Sequence, residues 1–190
     1  MLLVDADAVG PVEFSRLVRD GHVSAATRRF ALPRDVVSTP GIRALCVSPS
    51  VPERTVLSGL AGLWVWHGGR WPGEVTVVGK RGLHRDAAGR REAGSDSVTF
   101  HSGIAWRDEP TVLGTVAIAN PARCCSDALR WDAHAEAIPA IARVVARGFV
   151  RLASIEYEAS RDNPRGAGYG RLSSLWQALR PALAELDASG

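Results

Sequence analysis

The sequence predicts an α+β fold in which a small central β-sheet is flanked by helices and the C-terminal third is helical. An apolar helical run at 57–66 is followed by glycines and then by a β-branched run at 74–79. Farther along, Asn120-Pro121 is typical of a helix start, with Asn as the N-cap and Pro at the first helical position. Strand-forming runs therefore precede residue 120, and helical patterns follow it.

The N-terminal segment predicts a short amphipathic helix and then a basic β-ribbon. Within 11–20, Phe14 and Leu17 share one face, and Gly21 ends the helix. Residues 23–32 predict one or two strands around a turn. This order is half of a winged helix, which needs about three helices before its wing. We therefore expect a reduced winged-helix-like N-terminus.

The middle of the chain predicts a helix at 39–48, a tryptophan-bearing helix and the strands of the central sheet. Trp64 and Trp66 have alternate spacing, which puts their rings on different sides of the helix, so we expect at least one ring to be buried. The predicted strands span 74–79, 97–101 and 111–119.

Helices are predicted for most of the chain after residue 120. They span 121–131, 132–147, 154 to about 161, and 169–186. Pro139 and Pro181 should kink or restart their helices, because proline has no backbone N–H. We divide the chain into a reduced winged-helix-like segment at 1–50 and an α+β domain with a helical C-terminal part at 51–190.

Length, charge and hydropathy limit the classes of protein to which the chain can belong. The 190 residues suffice for one good core and are too few for two full-size domains. The formal net charge is +3, with Lys80 as the only lysine. Cationic side chains are concentrated at 70–107, which predicts a basic patch or a solvated basic loop. No apolar run is long enough to span a membrane and no leader is evident, so we expect a cytoplasmic protein.

Motifs of common catalytic sites are absent from the sequence. It has no Gly-x-Ser-x-Gly elbow, no Walker loop, no dinucleotide-binding fingerprint after a strand and no His-Glu-x-x-His helix. The five histidines and three cysteines have no metal-ligand spacing. Asp5 and Asp7 are interpreted as ordinary surface acids. We therefore expect no enzymatic activity, no metal and no cofactor.

Several stretches, taken in order, resemble the AbiEi family of antitoxins from type IV toxin–antitoxin systems. They are the basic ribbon at 28–33, the tryptophan helix at 56–66, the strand at 74–78 with the basic loop at 81–85, the strand at 98–101, the helix start at 120–127, and the helical stretches at 146–150 and 154–156. The chain departs from the family because it lacks a full N-terminal winged helix. Related actinobacterial fusions begin an endonuclease domain at the point where this sequence reaches Gly190, so we expect no nuclease activity.

The resemblance implies a DNA-binding repressor that restrains a neighbouring nucleotidyltransferase toxin, acting as a homodimer or with that partner. It implies phosphate contacts to double-stranded DNA by Arg28, Arg29, Lys80, Arg81 and Arg85. Base edges would be reached from the N-terminal helix by Arg16 and Arg19. We expect Arg28 and Arg29 to face solvent.

Two other functions stay open on the sequence alone. One is a protein-interaction module without DNA binding, and the other is an enzyme whose site no motif identifies. A continuous basic face would favour the regulator, whereas dispersed arginines beside an exposed apolar patch would favour the interaction module. Clustered acids or histidines in a cleft would favour the enzyme.

Overall fold

The structure is a computed structural model that describes residues 3–79, 96–102, 109–162 and 164–189. Its helices are α1 (Ala6–Val9), α2 (Pro11–Arg19), α3 (Pro40–Val47), α4 (Gly59–His67), α5 (Pro121–Trp131), α6 (His134–Ala146), α7 (Leu152–Ser160) and α8 (Tyr169–Ser189). Its strands are β1 (Val4–Asp5), β2 (Val23–Ala25), β3 (Phe30–Pro33), β4 (Thr55–Leu57), β5 (Glu74–Gly79), β6 (Ser97–Ser102), β7 (Thr111–Leu113) and β8 (Val116–Ile118). The fold is α+β with a helical C-terminal part, as predicted.

The strands of the described residues form two sheets, a small one that contains the predicted N-terminal ribbon and a larger central one. A small antiparallel sheet has the order β1-β3-β2, so the N-terminal ribbon pairs with a strand that the sequence did not predict. The larger sheet has the order β6-β5-β4-β8-β7. Its β4–β8 and β5–β6 pairs are parallel and the others antiparallel.

The prediction of one strand over 111–119 is wrong. β7 and β8 form an antiparallel hairpin that pairs Thr111 with Ile118. Gly114 has a φ of +62°, a left-handed conformation that glycine adopts without a steric penalty, and it makes the turn. The hairpin places Ile118 in the sheet interior beside β4, where it is fully buried, and leaves β7 at one edge.

Helix α4 is buried along most of its length and lies at the centre of the fold. Residues 59–65 are all buried, and the helix contacts α3, α5, α6 and β5. Gly62 permits the close approach of α5, since a Cβ at this position would lie 2.6 Å from the Cys124 Sγ. A helix enclosed on all sides needs no polar face, which explains its apolar sequence.

The two tryptophans of α4 lie in different environments, as their spacing predicts. Trp64 is 5% exposed, and its Nε1 donates to the carbonyl of Gly69 at 3.2 Å. Trp66 is half-buried, and its Nε1 donates to the carbonyl of Ala119 at 2.8 Å. The expectation that at least one ring is buried is confirmed.

Of the two effects predicted for Pro139 and Pro181, a kink or a restart of the helix, the restart does not occur. Helices α6 and α8 continue through these residues. Each proline removes one backbone hydrogen bond, but the apolar side chains beyond it remain packed in the core. Ile141 is 1% exposed and Leu183 is 3% exposed, so tertiary packing maintains both helices.

A shared core joins the N-terminal segment to the larger sheet. Leu32, Ala44 and Val47 belong to the same buried cluster as Leu57 and Val65. This cluster spans the proposed boundary at residue 50. The two sides of that boundary therefore bury their apolar side chains together.

Arg43 provides a polar link between the same two parts of the chain. Its buried guanidinium donates to the carbonyls of Val65 and Trp66 at 2.9 and 3.1 Å, near the C-terminus of α4. A cation at this end of a helix interacts favourably with the helix dipole and with carbonyls that lack intrahelical partners. Arg43 thus fixes α3 against the end of α4.

Candidate functional site

The arginines predicted to read DNA lie on the exposed side of α2, and each has an acidic neighbour. Arg16 Nη2 lies 3.0 Å from Glu13 Oε1, and Arg19 Nε lies 3.1 Å from Asp20 Oδ1. Exposed ion pairs of this kind contribute about 0–1 kcal/mol and are screened by salt. Both arginines can therefore exchange their acidic partner for a phosphate at little cost.

Arg29 has a structural position, so the expectation that it faces solvent is wrong. Its Nε and Nη2 donate to the two carboxylate oxygens of Asp5 at 3.0 and 2.9 Å, and its Nη1 lies 3.1 Å from Asp7. The Arg29 hydrogen bond lowers the pKa of Asp5. Asp5 also accepts from the backbone N–H of Asp7 at 3.0 Å and caps α1. Asp5 is therefore part of the link between β1 and β3 and not an ordinary surface acid.

Arg28 is exposed, as expected, in the connection between β2 and β3. Its Nη2 lies 3.6 Å from the point that a Cβ on Gly73 would occupy, so the ribbon approaches the loop that leads into β5. In that loop Trp71 Nε1 donates to Asp96 at 3.1 Å. Burial raises the pKa of Asp96, while the Trp71 hydrogen bond and the Arg28 charge oppose the rise.

The three other predicted phosphate contacts, Lys80, Arg81 and Arg85, lie outside the described residues. Of the four that the structure describes, Arg16 and Arg19 lie on α2, and Arg28 and Arg29 lie on the connection between β2 and β3. Among these four, Arg28 is the exposed arginine with no ion pair to the described residues. The role of all seven side chains in DNA binding remains a prediction.

A buried polar network that the sequence analysis did not predict lies between α4, α5 and α7. Asp127 is fully buried, accepts from Ser58 Oγ at 2.6 Å, and pairs with Arg123 Nη2 at 2.6 Å. Arg123 Nη1 pairs with Asp162 at 2.9 Å, and Arg130 Nη1 pairs with the same carboxylate at 3.2 Å. The network thus connects the start of α4 to the end of α7 through α5.

The charges of this network are compensated within the fold. Burial alone would lower the pKa of Arg123, but the adjacent Asp127 and Asp162 carboxylates raise it overall, so the guanidinium stays charged. The Ser58 hydroxyl is fully buried and donates to Asp127. A buried charge is tolerated where partners of opposite charge and hydrogen bonds compensate its lost hydration.

Asp132, at the end of α5, caps the N-terminus of α4, although the two are far apart in the sequence. Ser58 occupies the N-cap position, but Asp132 Oδ2 accepts from the Leu60 N–H at 2.7 Å. Asp132 Oδ1 also accepts from the Thr76 hydroxyl at 2.7 Å. Gly59 makes this approach possible, because a Cβ there would lie 2.5 Å from Asp132 Oδ2. The carboxylate thereby links α5, α4 and β5.

The contribution of Asp132 to the unfolding free energy is expected to fall as the pH rises from about 4 to 7. Half-buried His101, whose pKa is lowered to about 4 by burial, contributes in the opposite direction in both the wild type and an Asp132 variant. Burial raises the pKa of Asp132 to about 6 from 3.8, against the opposing Leu60 and Thr76 hydrogen bonds. The folded state therefore holds a proton that the unfolded state releases. The resulting stabilisation is complete below the unfolded pKa and is lost through the folded pKa, and about two pKa units correspond to about 3 kcal/mol.

Asp132→Asn is the matched variant for this prediction, since its amide oxygen can still accept from the Leu60 N–H. Urea titrations of both proteins across this pH range measure the difference. The wild-type protein should lose stability relative to the variant with rising pH. Parallel curves for the two proteins would contradict the prediction.

A cleft of about 200 Å³ lies between α4, α6 and the loop before β5. Trp64 and Trp71 meet in it edge to face, with ring centroids 4.7 Å apart. Arg70, Arg143 and Glu136 are exposed at its rim. The remaining lining residues are Leu60, Leu63, Gly68, Pro72, Ala135, Pro139 and Ala140.

A metal centre and a membrane-spanning helix are both absent from the described part of the chain. There, no group of three or more His, Cys, Asp or Glu side chains is positioned to hold a metal ion. No helix of those residues has the length and apolar character required to cross a membrane.

The fold and these sites define an α+β protein with a buried arginine–aspartate network and an exposed N-terminal helix and ribbon. The sequence matches no known protein-family profile, and no curated protein matches it significantly.

Proposed function

We propose that this chain is a cytoplasmic, non-enzymatic regulator of the AbiEi antitoxin type that binds double-stranded DNA through its N-terminal helix and ribbon. It acts as a homodimer or with a neighbouring nucleotidyltransferase toxin. The observation that carries the proposal is the exposed Arg28, which lies on the connection between β2 and β3. The ribbon formed by these two strands follows α2 in the chain. A helix and an adjacent basic ribbon suit the backbone of a duplex, where arginines bind phosphates and fix the orientation of the protein.

The positions of Arg16 and Arg19 add support to this proposal. Both side chains project from α2 into solvent, with 59% and 74% of their surface exposed. Their exposed ion pairs are weak enough for phosphates to replace the carboxylates. Together with Arg28 they give the N-terminal unit three accessible guanidinium groups.

The alternative is a protein-interaction module that does not bind DNA. It is favoured by the acidic neighbours of Arg16, Arg19 and Arg29, which reduce the local positive potential. It is also favoured by Val12 on α2, which is 84% exposed. An exposed apolar side chain suits a protein partner better than a phosphate backbone.

The affinity for DNA is expected to fall steeply with salt and to depend on Arg28. Arg28→Ala should weaken binding to all duplexes and flatten the logarithmic salt slope by about 0.9, the value for one phosphate contact. Fluorescence anisotropy measures this with a duplex from the upstream region and a scrambled duplex at several salt concentrations. Arg147→Ala, which removes an exposed arginine at the end of α6, is the control and should leave the slope unchanged.

Binding to the upstream duplex above the scrambled one would support a regulator. Equal binding to both would reduce the function to nonspecific association with nucleic acid. Absence of binding to either duplex at low salt would exclude the regulator and favour the interaction module.

A further inference from the structure

We propose that the cleft between α4 and α6 is a docking site for an acidic peptide segment of a partner protein, which inserts one apolar side chain between Trp64 and Pro139. This proposal does not depend on DNA binding or on the identity of a toxin. Its basis is the combination of an apolar floor with an arginine-bearing rim.

The size of the cleft favours a single side chain. Sites for small-molecule cofactors and ligands usually enclose about 300–1,000 Å³, and this cleft has about 200 Å³. Its floor includes Leu60, Leu63 and the Trp64 ring, which are buried in the fold. Aromatic and aliphatic anchors in such clefts supply most of the energy of many protein–peptide contacts.

The charge of the rim favours an acidic peptide. Arg70 and Arg143 are exposed and form no ion pair with any other described residue, while Glu136 is the acidic residue of the lining. Arg143 Nη1 lies 3.0 Å from the point that a Cβ on Gly69 would occupy, so its guanidinium extends across the loop. Arginine guanidinium groups bind carboxylates through paired, charge-assisted hydrogen bonds.

The floor of the cleft fits a nucleobase less well than an apolar side chain. A base that stacks on an indole still needs partners for the polar atoms of its edge. The lining below the rim is apolar, and the Trp64 Nε1 already donates to Gly69 within the protein. An apolar anchor leaves no polar atom unsatisfied there.

The test is a selection of peptides from a phage-displayed library of 12-residue sequences on the 190-residue chain. The affinities of the enriched peptides are then measured by fluorescence anisotropy. Ala135→Trp is expected to fill the cleft and weaken binding about tenfold or more. Arg70→Ala and Arg143→Ala should each weaken it about tenfold. The matched controls are Ala153→Trp on the exposed side of α7 and Arg147→Ala at the end of α6, which should leave the affinity unchanged.

The proposal would be supported if the enriched peptides have Asp or Glu beside an aromatic or aliphatic residue. Their affinity should also fall as the salt concentration rises, and it should be lower for each of the three cleft variants than for the wild type. No enrichment, enrichment of neutral or basic peptides, or insensitivity to Ala135→Trp would overturn it. A fluorescein-labelled 12-residue oligothymidylate is tested in parallel. Binding of this probe that is lost in Ala135→Trp would overturn the peptide in favour of single-stranded nucleic acid.

Discussion

Replacing Arg123 with Met is expected to lower the unfolding free energy by about 3–5 kcal/mol, the usual effect of removing one partner from a buried ion pair. The guanidinium lies 2.6 Å from Asp127 and 2.9 Å from Asp162, and both carboxylates are almost inaccessible to water. Met keeps the aliphatic part of the side chain and lacks the guanidinium group and its charge. The largest part of the loss is therefore expected from a buried carboxylate without its cation, and the pH dependence separates it from the effect of the vacated space.

The pH dependence of this loss separates charge from packing. Burial already raises the pKa of Asp127, and the Arg123 charge and hydrogen bond oppose that rise, so loss of Arg123 raises the pKa of Asp127 further. The variant should then recover stability as the pH is lowered, so its difference from the wild type is smaller at pH 5 than at pH 8.

Two further variants complete this test. Arg147→Met, at an exposed position, should change stability by less than about 0.5 kcal/mol. If Arg123→Met does not fold, Arg123→Lys retains the charge and should give an intermediate loss. A loss under 1 kcal/mol for Arg123→Met, or a loss independent of pH, would show that the network does not hold the helices together. Denaturant unfolding followed by circular dichroism is sufficient for these measurements.

The elements predicted most accurately from the sequence are those fixed by adjacent residues. The strand at 74–79 has its predicted bounds, since a β-branched run is enclosed by glycines. The helix at 121–131 is also exact. Asn120 accepts from the Arg123 N–H at 2.8 Å as the N-cap, and Pro121 follows it. In these cases the local chemistry and the tertiary fold favour the same conformation.

The pairings that hold the site together were not predictable in the same way. Ser58 and Asp127 are 69 positions apart, and Asp5 and Arg29 are 24 positions apart. A pattern of nearby residues cannot show which distant acid an arginine will face. Arg29 was therefore expected in solvent, although it fixes β1 against β3.

One sequence signal for the buried network was available. Arg123 and Asp127 are four positions apart, the spacing of neighbours on one helix face. Cys124 and Cys125 between them are fully buried, as expected of cysteines without disulfide or metal spacing. An ion pair on a buried helix indicates a polar contact in the core. The sequence does not show that Ser58 and Asp162 also bind to this pair, because their positions depend on the fold.

Replacing Trp64 with Ala is expected to cost about 3–5 kcal/mol, as for other large aromatic side chains removed from a core. The ring is 5% exposed, contacts Trp71 edge to face, and donates to the Gly69 carbonyl. Its removal leaves a cavity beside α6 and an unpaired carbonyl in the loop. Thermal and urea unfolding measure the loss.

Trp64→Phe keeps an aromatic ring and loses the N–H donor, so it should lower the unfolding free energy less than Trp64→Ala. It is therefore expected to fold even if Trp64→Ala does not. Tyr157→Ala removes an aromatic side chain that is 60% exposed and is the control, with an expected loss under about 1 kcal/mol. Equal stability of Trp64→Ala and the wild type would place the ring outside the core, where it could stack on a nucleobase instead. Since Trp64 also forms the floor of the cleft, Trp64→Phe should weaken any peptide that inserts there, whereas a peptide bound elsewhere would keep its affinity.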